Sequence, residues 1–218
     1  MRVLIACECS GIIRDEFLKK GHDAWSCDLQ PTERPGPHIQ DDVLRHLSDG
    51  WDMMICHPPC RFLSKAGARW WEVPGRLGGI WDGGLFALAL RDCSIPRIAI
   101  ENPRGLLKNC WKTPDQVIQP YQFGHPFSKA TCLWLLNLPP LIPTKVLTRY
   151  KPFLPSNTGG KKRGQKTSRG VAHNAKDASR TFTGIAEAMA EQWGARELPP
   201  PWMNLQRDWR ASDQVPSD

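Results

Sequence analysis

The chain opens on an unbroken apolar run, Val3-Leu4-Ile5-Ala6. It is too short for a helix and reads as a buried strand. Cys9-Ser10-Gly11 makes a turn. Ile12, Ile13, Phe17 and Leu18 then recur at helical spacing, and Lys19, Lys20 and Gly21 give a helix end. Asp23–Asp28 has the pattern of a second strand, ending in an acid. Gln40-Asp41-Asp42-Val43 opens another turn, and Trp51–Cys56 is a further strand. Leu77–Cys93 is a long apolar stretch whose four glycines weaken its start, while Leu85–Leu90 reads as buried helix. Arg97–Ile100 is a short strand, stopped by Glu101-Asn102-Pro103.

Beyond Gln119 the pattern changes. Tyr121–Phe127 and Ala130–Leu136 have strand character and suggest a hairpin, and Pro139, Pro140 and Pro143 break the run. Residues 151–178 are rich in Gly, Lys, Arg, Ser and Asn and read as a loop. Thr181–Trp193 is an amphipathic helix, with Ile185, Met189 and Trp193 on one stripe and Gly194 as its stop. From Pro199 onward nothing promises a core.

Strands alternating with helices predict an α/β fold, a mostly parallel sheet with helices on both faces. Right-handed crossovers bring the strand ends to one edge. Ser10, Gly11, Asp28, Asp42, Pro58, Cys60 and Glu101 should therefore converge there. A chain of 218 residues, 40% hydrophobic, suits one domain with an appendage.

Composition narrows the class. No apolar run reaches membrane-spanning length, and residues 1–6 are too short for a signal peptide, so a cytoplasmic setting is expected. Cys7, Cys27, Cys56, Cys93 and Cys132 lie in or beside apolar runs and read as small hydrophobes. Cys7-x-Cys9 and Cys56-x-x-x-Cys60 lack paired zinc spacing, so no metal is expected. Residues 151–180 hold eight cations, among them Lys161, Lys162, Arg163, Lys166 and Arg169, against Asp177 alone. That excess equals the +7 net charge of the whole chain. A neutral body with one cationic segment suits a polyanion such as nucleic acid, or a solvated flexible loop; charge alone leaves both open.

The candidate chemistry lies at the strand ends. In His57-Pro58-Pro59-Cys60 two prolines fix φ twice, so the thiol after them is held in one direction, a candidate nucleophile. Glu101 ends a neighbouring strand. A partly desolvated carboxyl there is expected to have a raised pKa suited to sharing a proton with N3 of a pyrimidine while a thiolate adds at C6. The bland alternatives are a core cysteine and a surface acid. Gly11 would let a nucleotide-like cofactor approach the first turn, and Asp28 stands where an acid can accept from ribose hydroxyls. Asp41 and Asp42 could reach an adenine amino group or cap the helix that follows.

Taken together, these motifs make the chain resemble the small, often phage-borne DNA cytosine-5 methyltransferases. Pro58-Pro59-Cys60 matches the nucleophile motif, Glu101-Asn102 the Glu-Asn motif, Cys9-Ser10-Gly11 the first motif, and Thr183-Gly184-Ile185 the final one. The match covers residues 1–105 well and 181–193 modestly. It implies a Rossmann-like class I sheet with a minimal target-recognition region, and S-adenosylmethionine held near Ser10, Gly11, Asp28, Asp42, Pro58 and Gly184. It further implies methyl transfer to C5 of a flipped-out cytosine in double-stranded DNA through a Cys60–C6 adduct assisted by Glu101. Residues 1–143 would be the catalytic domain, 144–178 the DNA-contacting segment, 179–198 the returning helix and 199–218 a tail. The family's aromatic first-motif residue is missing from Ala6–Gly11, and no Gln-x-Arg-x-Arg is present. His125, Ser128 and Lys129 are the candidates for its phosphate- and base-contacting role. With little room for target recognition, sequence readout is either relaxed or supplied by a protein partner. The alternatives are another one-carbon donor, or a degenerate methyltransferase fold kept as a DNA-binding decoy. Amino-group methyltransferases and zinc deaminases fit His57-Pro58-Pro59-Cys60 poorly.

Overall fold

The computed structural model describes residues 1–60, 63, 76–154, 172 and 179–195. Its main sheet is built from β1 (Arg2–Ala6), β2 (Asp23–Cys27), β3 (His38–Ile39), β4 (Met53–Cys56), β5 (Ile98–Pro103), β6 (Gln116–Ile118) and β8 (Thr131–Leu136), in the order β3-β2-β1-β4-β5-β8-β6. β1 pairs in parallel with β2 and β4, and β4 in parallel with β5. β8 runs antiparallel between β5 and β6. The chain thus starts mid-sheet, winds to one edge, and crosses back to β4. That reversal beside β1 is a topological switch point, where ligands of such sheets sit. This is a Rossmann-like, doubly wound sheet with a single reversed strand.

Alternation along the strands separates two cores. Val3, Ile5, Met53, Ile55, Ala99 and Leu133 face one way, onto Ile13 and Phe17 of α1 (Ile12–Lys19) and onto Ile185, Met189 and Trp193 of the last helix, α4 (Thr183–Trp193). Leu4, Ala6, Met54, Cys56, Ile98, Ile100, Cys132 and Trp134 face the other way, onto Ala87 and Leu90 of α2 (Arg76–Arg91) and Leu107 of α3 (Leu107–Cys110). Burial on both faces explains why the strands read as continuous apolar runs rather than alternating ones. Gly84 of α2 serves close packing, since a Cβ there would lie 3.2 Å from Cys110 Sγ.

Three expectations need correction. Tyr121–Phe127 is not a strand. Pro120 lacks an N–H and opens a 3-10 turn, Pro120–Gln122, capped by Gln119. Only β7 (Phe127–Ser128) is extended there, pairing in parallel with β9 (Lys151–Pro152) in a separate two-stranded sheet. Next, Glu101-Asn102-Pro103 does not stop its strand. β4 leaves β5 after Ile100, but β8 continues alongside, placing Glu101 opposite Leu133 and Pro103 opposite Thr131. With one side unpaired, a proline is tolerated. Finally, β6 was not expected, because three residues carry no readable period. Among the described residues no helix is long and apolar enough to cross a membrane.

Candidate active site at the strand ends

The loop after β4 is tied down at three points. His57 N donates to Ala6 O at 3.0 Å, Asn102 Nδ2 donates to Pro58 O at 2.9 Å, and Leu63 N donates to Cys60 O at 3.1 Å. Cys60 is thereby presented, partly exposed, above the ends of β4 and β5. Burial pushes its thiol up, and the charge of Glu101 adds to that. Its own backbone and the ammonium of Lys129 oppose it.

Glu101 sits beside His57, whose Nδ1 lies 3.0 Å from Glu101 Oε2. A raised carboxyl was expected here, and the structure shows the reverse. Burial alone would push Glu101 up, but the His57 hydrogen bond and the charges of His57 and Lys129 outweigh it and hold the carboxyl below its ordinary value. Nothing in the order of residues foretells that an imidazole and an ammonium would close on this acid.

Lys129 enters from the turn between β7 and β8. Its Nζ donates to Arg180 O at 3.2 Å and lies 5.9 Å from the Phe182 ring centroid. Burial pushes the ammonium down, while Glu101 and Cys60 favour its charge. Lys129 therefore belongs to the thiol's surroundings. It lines a small cavity of about 10 Å³, room for one water, with Glu101, Thr131, Thr181, Phe182, Ile185 and Met189. His125 is engaged elsewhere. Its Nε2 accepts the Gly184 N–H at 2.9 Å, satisfying a first-turn donor of α4.

The turn after β1 forms the neighbouring wall. Cys7 (φ 58°) and Gly11 (φ 70°) are both left-handed, so the chain doubles back sharply. Burial, with Asp28 and Asp42, pushes the Cys7 thiol up to about 12, and no cation acts on it. Glu8 turns its carboxylate inward, where Oε1 accepts the Ser10 hydroxyl and, at 3.3 Å, the Ile12 N–H. Its Oε2 is buried without a partner among the described residues. Arg14 is fully buried and pins the loop after β2. It donates to Asp15, to the hydroxyls of Ser26 and Thr32, and to the carbonyls of Arg34, Pro35 and Pro37. Cβ atoms on Gly11 and Gly36 would lie 2.5 Å and 2.7 Å from this guanidinium, so both positions require glycine. Glu33 N donates to Cys9 O at 2.8 Å, closing the loop over the turn.

The expected cofactor residues are thus brought to one edge, but several have local partners. Ser10 is bonded to Glu8, and Asp28 Oδ1 accepts Gln30 N at 2.8 Å. Asp42 Oδ1 accepts Leu44 N at 3.0 Å, which makes it a helix cap. Asp41 pairs with His46 and Arg45. A Cβ on Gly184 would lie 2.1 Å from Phe123 O, so this glycine serves helix packing. An open cleft of about 350 Å³ lies alongside, lined by Ile12, Arg34, His125, Phe153, Arg180, Thr181, Phe182 and Thr183. Phe182 packs on His125, Phe127 and Phe153, an aromatic cluster absent from the first motif and assembled here from distant segments. Lys161, Lys162, Arg163, Lys166 and Arg169, and the tail from 199, lie outside the described residues.

No family model matches this chain, and no curated protein matches it. Among solved structures it is similar to an E. coli prophage-encoded protein assigned as a DNA modification methyltransferase, at 13% identity over 62% of this chain and 46% of that one, with a TM-score of 0.40. It is also similar to the Entamoeba histolytica methyltransferase EhMeth, at 13% identity over 67% and 57% of the two chains, with a TM-score of 0.44. The chain spans about half the length of those proteins.

Proposed function

We propose that the chain is an S-adenosylmethionine-dependent methyltransferase acting on C5 of cytosine in double-stranded DNA. The observation that carries this reading is the meeting of Cys60, Glu101 and Lys129, from three distant segments, beside the switch point of a methyltransferase-type sheet. The residues of the first turn fit the cofactor. The orphan Oε2 of Glu8 calls for a cationic partner, and Asp28 at the end of β2 suits ribose hydroxyls. Glu8, Gly11 and Asp28 would hold it, and when bound it supplies an electrophilic methyl group.

The remaining chemistry belongs to the chain's own groups. A target base must leave the stack to reach a thiol at this depth. At rest, burial and Glu101 keep the proton on Cys60. As sulfur bonds to C6, the C5–C6 π pair moves toward C4–C5 and the C4–N3 pair onto N3. The thiol proton must leave at that moment. Glu101, held ionised, is the acceptor at hand and can pass that proton to N3. Lys129 offsets the charge that this transfer moves. Once C5 carries the new group, water takes the C5 proton, the freed pair restores the C5–C6 double bond as the thiolate leaves, and the N3 proton returns through Glu101 to Cys60. The basic segment 151–180 would grip phosphates, making binding steeply salt-dependent.

Duplex DNA containing 5-fluorocytosine tests this reading. With S-adenosylmethionine it should trap a covalent complex through Cys60, and Cys60→Ala should lower trapping by on the order of 10³-fold or more. Mass spectrometry of nucleosides from a substrate plasmid should show 5-methylcytosine. The non-enzyme reading gains if no DNA is trapped and calorimetry detects no cofactor binding; the carboxylate of Glu8 on the α1 N-terminus is the observation in its favour.

A further inference from the structure

One side chain in the thiol wall has no part in the chemistry above. His57 follows β4 directly. Cys56 is paired with Ile100, so the next residue of each strand, His57 and Glu101, stand side by side. Their side chains are only 13% and 17% exposed. Since a carboxylate oxygen can only accept, the His57 proton is assigned to Nδ1, donating to Glu101 Oε2. The other ring nitrogen, Nε2, is buried with no partner among the described residues. Glu101 Oε1 has no hydrogen bond among the described residues. A role in stability alone accounts poorly for this. A buried polar pair gains little over an apolar pair of similar volume, and a bare ring nitrogen adds a further cost.

Resting on the methyltransferase reading, we infer that His57 is a positioning residue for Glu101: its Nδ1–H fixes one carboxylate oxygen and leaves the other facing the base that Cys60 attacks. The two prolines after His57 and the Asn102–Pro58 hydrogen bond hold the same loop, so the thiol and the imidazole are set by one rigid piece of backbone. Lys129 approaches Glu101 from the β7–β8 turn, a separate segment. The titratable groups around the carboxylate are thus His57, Lys129, Cys56, Cys60 and Cys132. Without His57, burial would act on Glu101 against Lys129 alone.

The test compares the wild type with His57→Leu and His57→Asn, whose amide can donate to Oε2 without titrating. With duplex DNA and S-adenosylmethionine, His57→Leu should lower kcat by on the order of 10²-fold while KM for DNA changes little. Its acidic pH limb should move upward, as Glu101 takes a proton more readily. His57→Asn should recover most of kcat. Nitrogen-resolved NMR gives a readout that needs no turnover: the hydrogen-bonded His57 Nδ1–H signal of the wild type should be lost in Glu101→Leu. The inference is overturned if His57→Leu keeps both kcat and the wild-type pH limb. It is equally overturned if a folded His57→Asn is no better than His57→Leu, or if Glu101→Leu leaves the His57 Nδ1–H signal unchanged. A wild type that modifies no cytosine overturns the parent reading, and the role with it, even where NMR still finds the two residues coupled.

Discussion

The two walls of the strand-end edge are built on opposite terms. The turn after β1 is held by a dense set of hydrogen bonds, with Glu8 Oε2 as its one orphan among the described residues. Glu8, Ser10 and the Ile12 N–H bind one another, and Arg14 alone ties together two hydroxyls, three carbonyls and a carboxylate. Around Cys60 the main relations are electrostatic. A carboxylate lies between an imidazole and an ammonium, and an attackable thiol feels both signs. The difference teaches where a substitution should register. In the first wall it should appear as lost stability, since buried groups lose partners. In the second it should appear as changed reactivity, with the fold largely kept.

The most severe challenge to this contrast is Arg14→Met. It leaves Ser26, Thr32 and Asp15 short of a donor and loosens the loop that covers Cys9. Losing one partner of a buried charged network costs about 3–5 kcal/mol. Denaturant unfolding should show that loss. Arg14→Lys should not restore it, because an ammonium cannot fork to so many acceptors. A melting curve unchanged by Arg14→Met would mean that the first wall is not held as described.

A smaller effect is expected at the second wall. Burial and Glu101 raise the Cys60 thiol, and Lys129 lowers it. Glu101→Gln should therefore speed iodoacetamide capture of Cys60 several-fold, and Lys129→Met should slow it, as read by peptide mass spectrometry. In the wild type, capture should rise with pH and reach half its limit above the ordinary thiol range, because only the thiolate reacts. Equal rates in all three proteins would remove charge as the organising feature of this wall.

How much of this was legible in the chain follows from the same contrast. The apolar runs gave β1, β2 and β4 because strands covered on both faces cannot hide their composition. Pro58-Pro59-Cys60 and Glu101 were legible because their residue types are rarely placed together without cause. Lys129 is legible only as a phosphate- or base-contacting candidate, since nothing in His-Pro-Phe-Ser-Lys tells that β8 returns antiparallel beside β5 and brings the lysine toward Glu101. The same non-local pairing carries β5 past Ile100, against the local evidence of Pro103. Arg14 was invisible for another reason. On a helix written Ile-Ile-Arg-Asp-Glu it looks like a solvated charge, and its acceptors come from a proline-rich loop some twenty residues on.

The slightest effect is expected where the two walls meet, at the start of α4. His125 lines the cleft there, and its bare Nε2 accepts the Gly184 N–H. Burial lowers the imidazole, so the folded chain takes up this proton less readily than the unfolded chain. The stabilisation is complete above the ordinary histidine value of about 6.5 and fades as pH falls through the lower folded-state value. His22, also lowered by burial, acts in the same direction, while His46, raised first by its Asp49 hydrogen bond, acts in the other. The effect of His125 is therefore isolated by comparison with His125→Gln, whose amide oxygen can accept the same N–H and does not titrate. Between about pH 7 and pH 5 the melting temperature of the wild type should fall further than that of His125→Gln. Parallel curves would show that this cap tolerates a protonated ring, and that α4 is held by the packing of Ile185, Met189 and Trp193 without help from the cap.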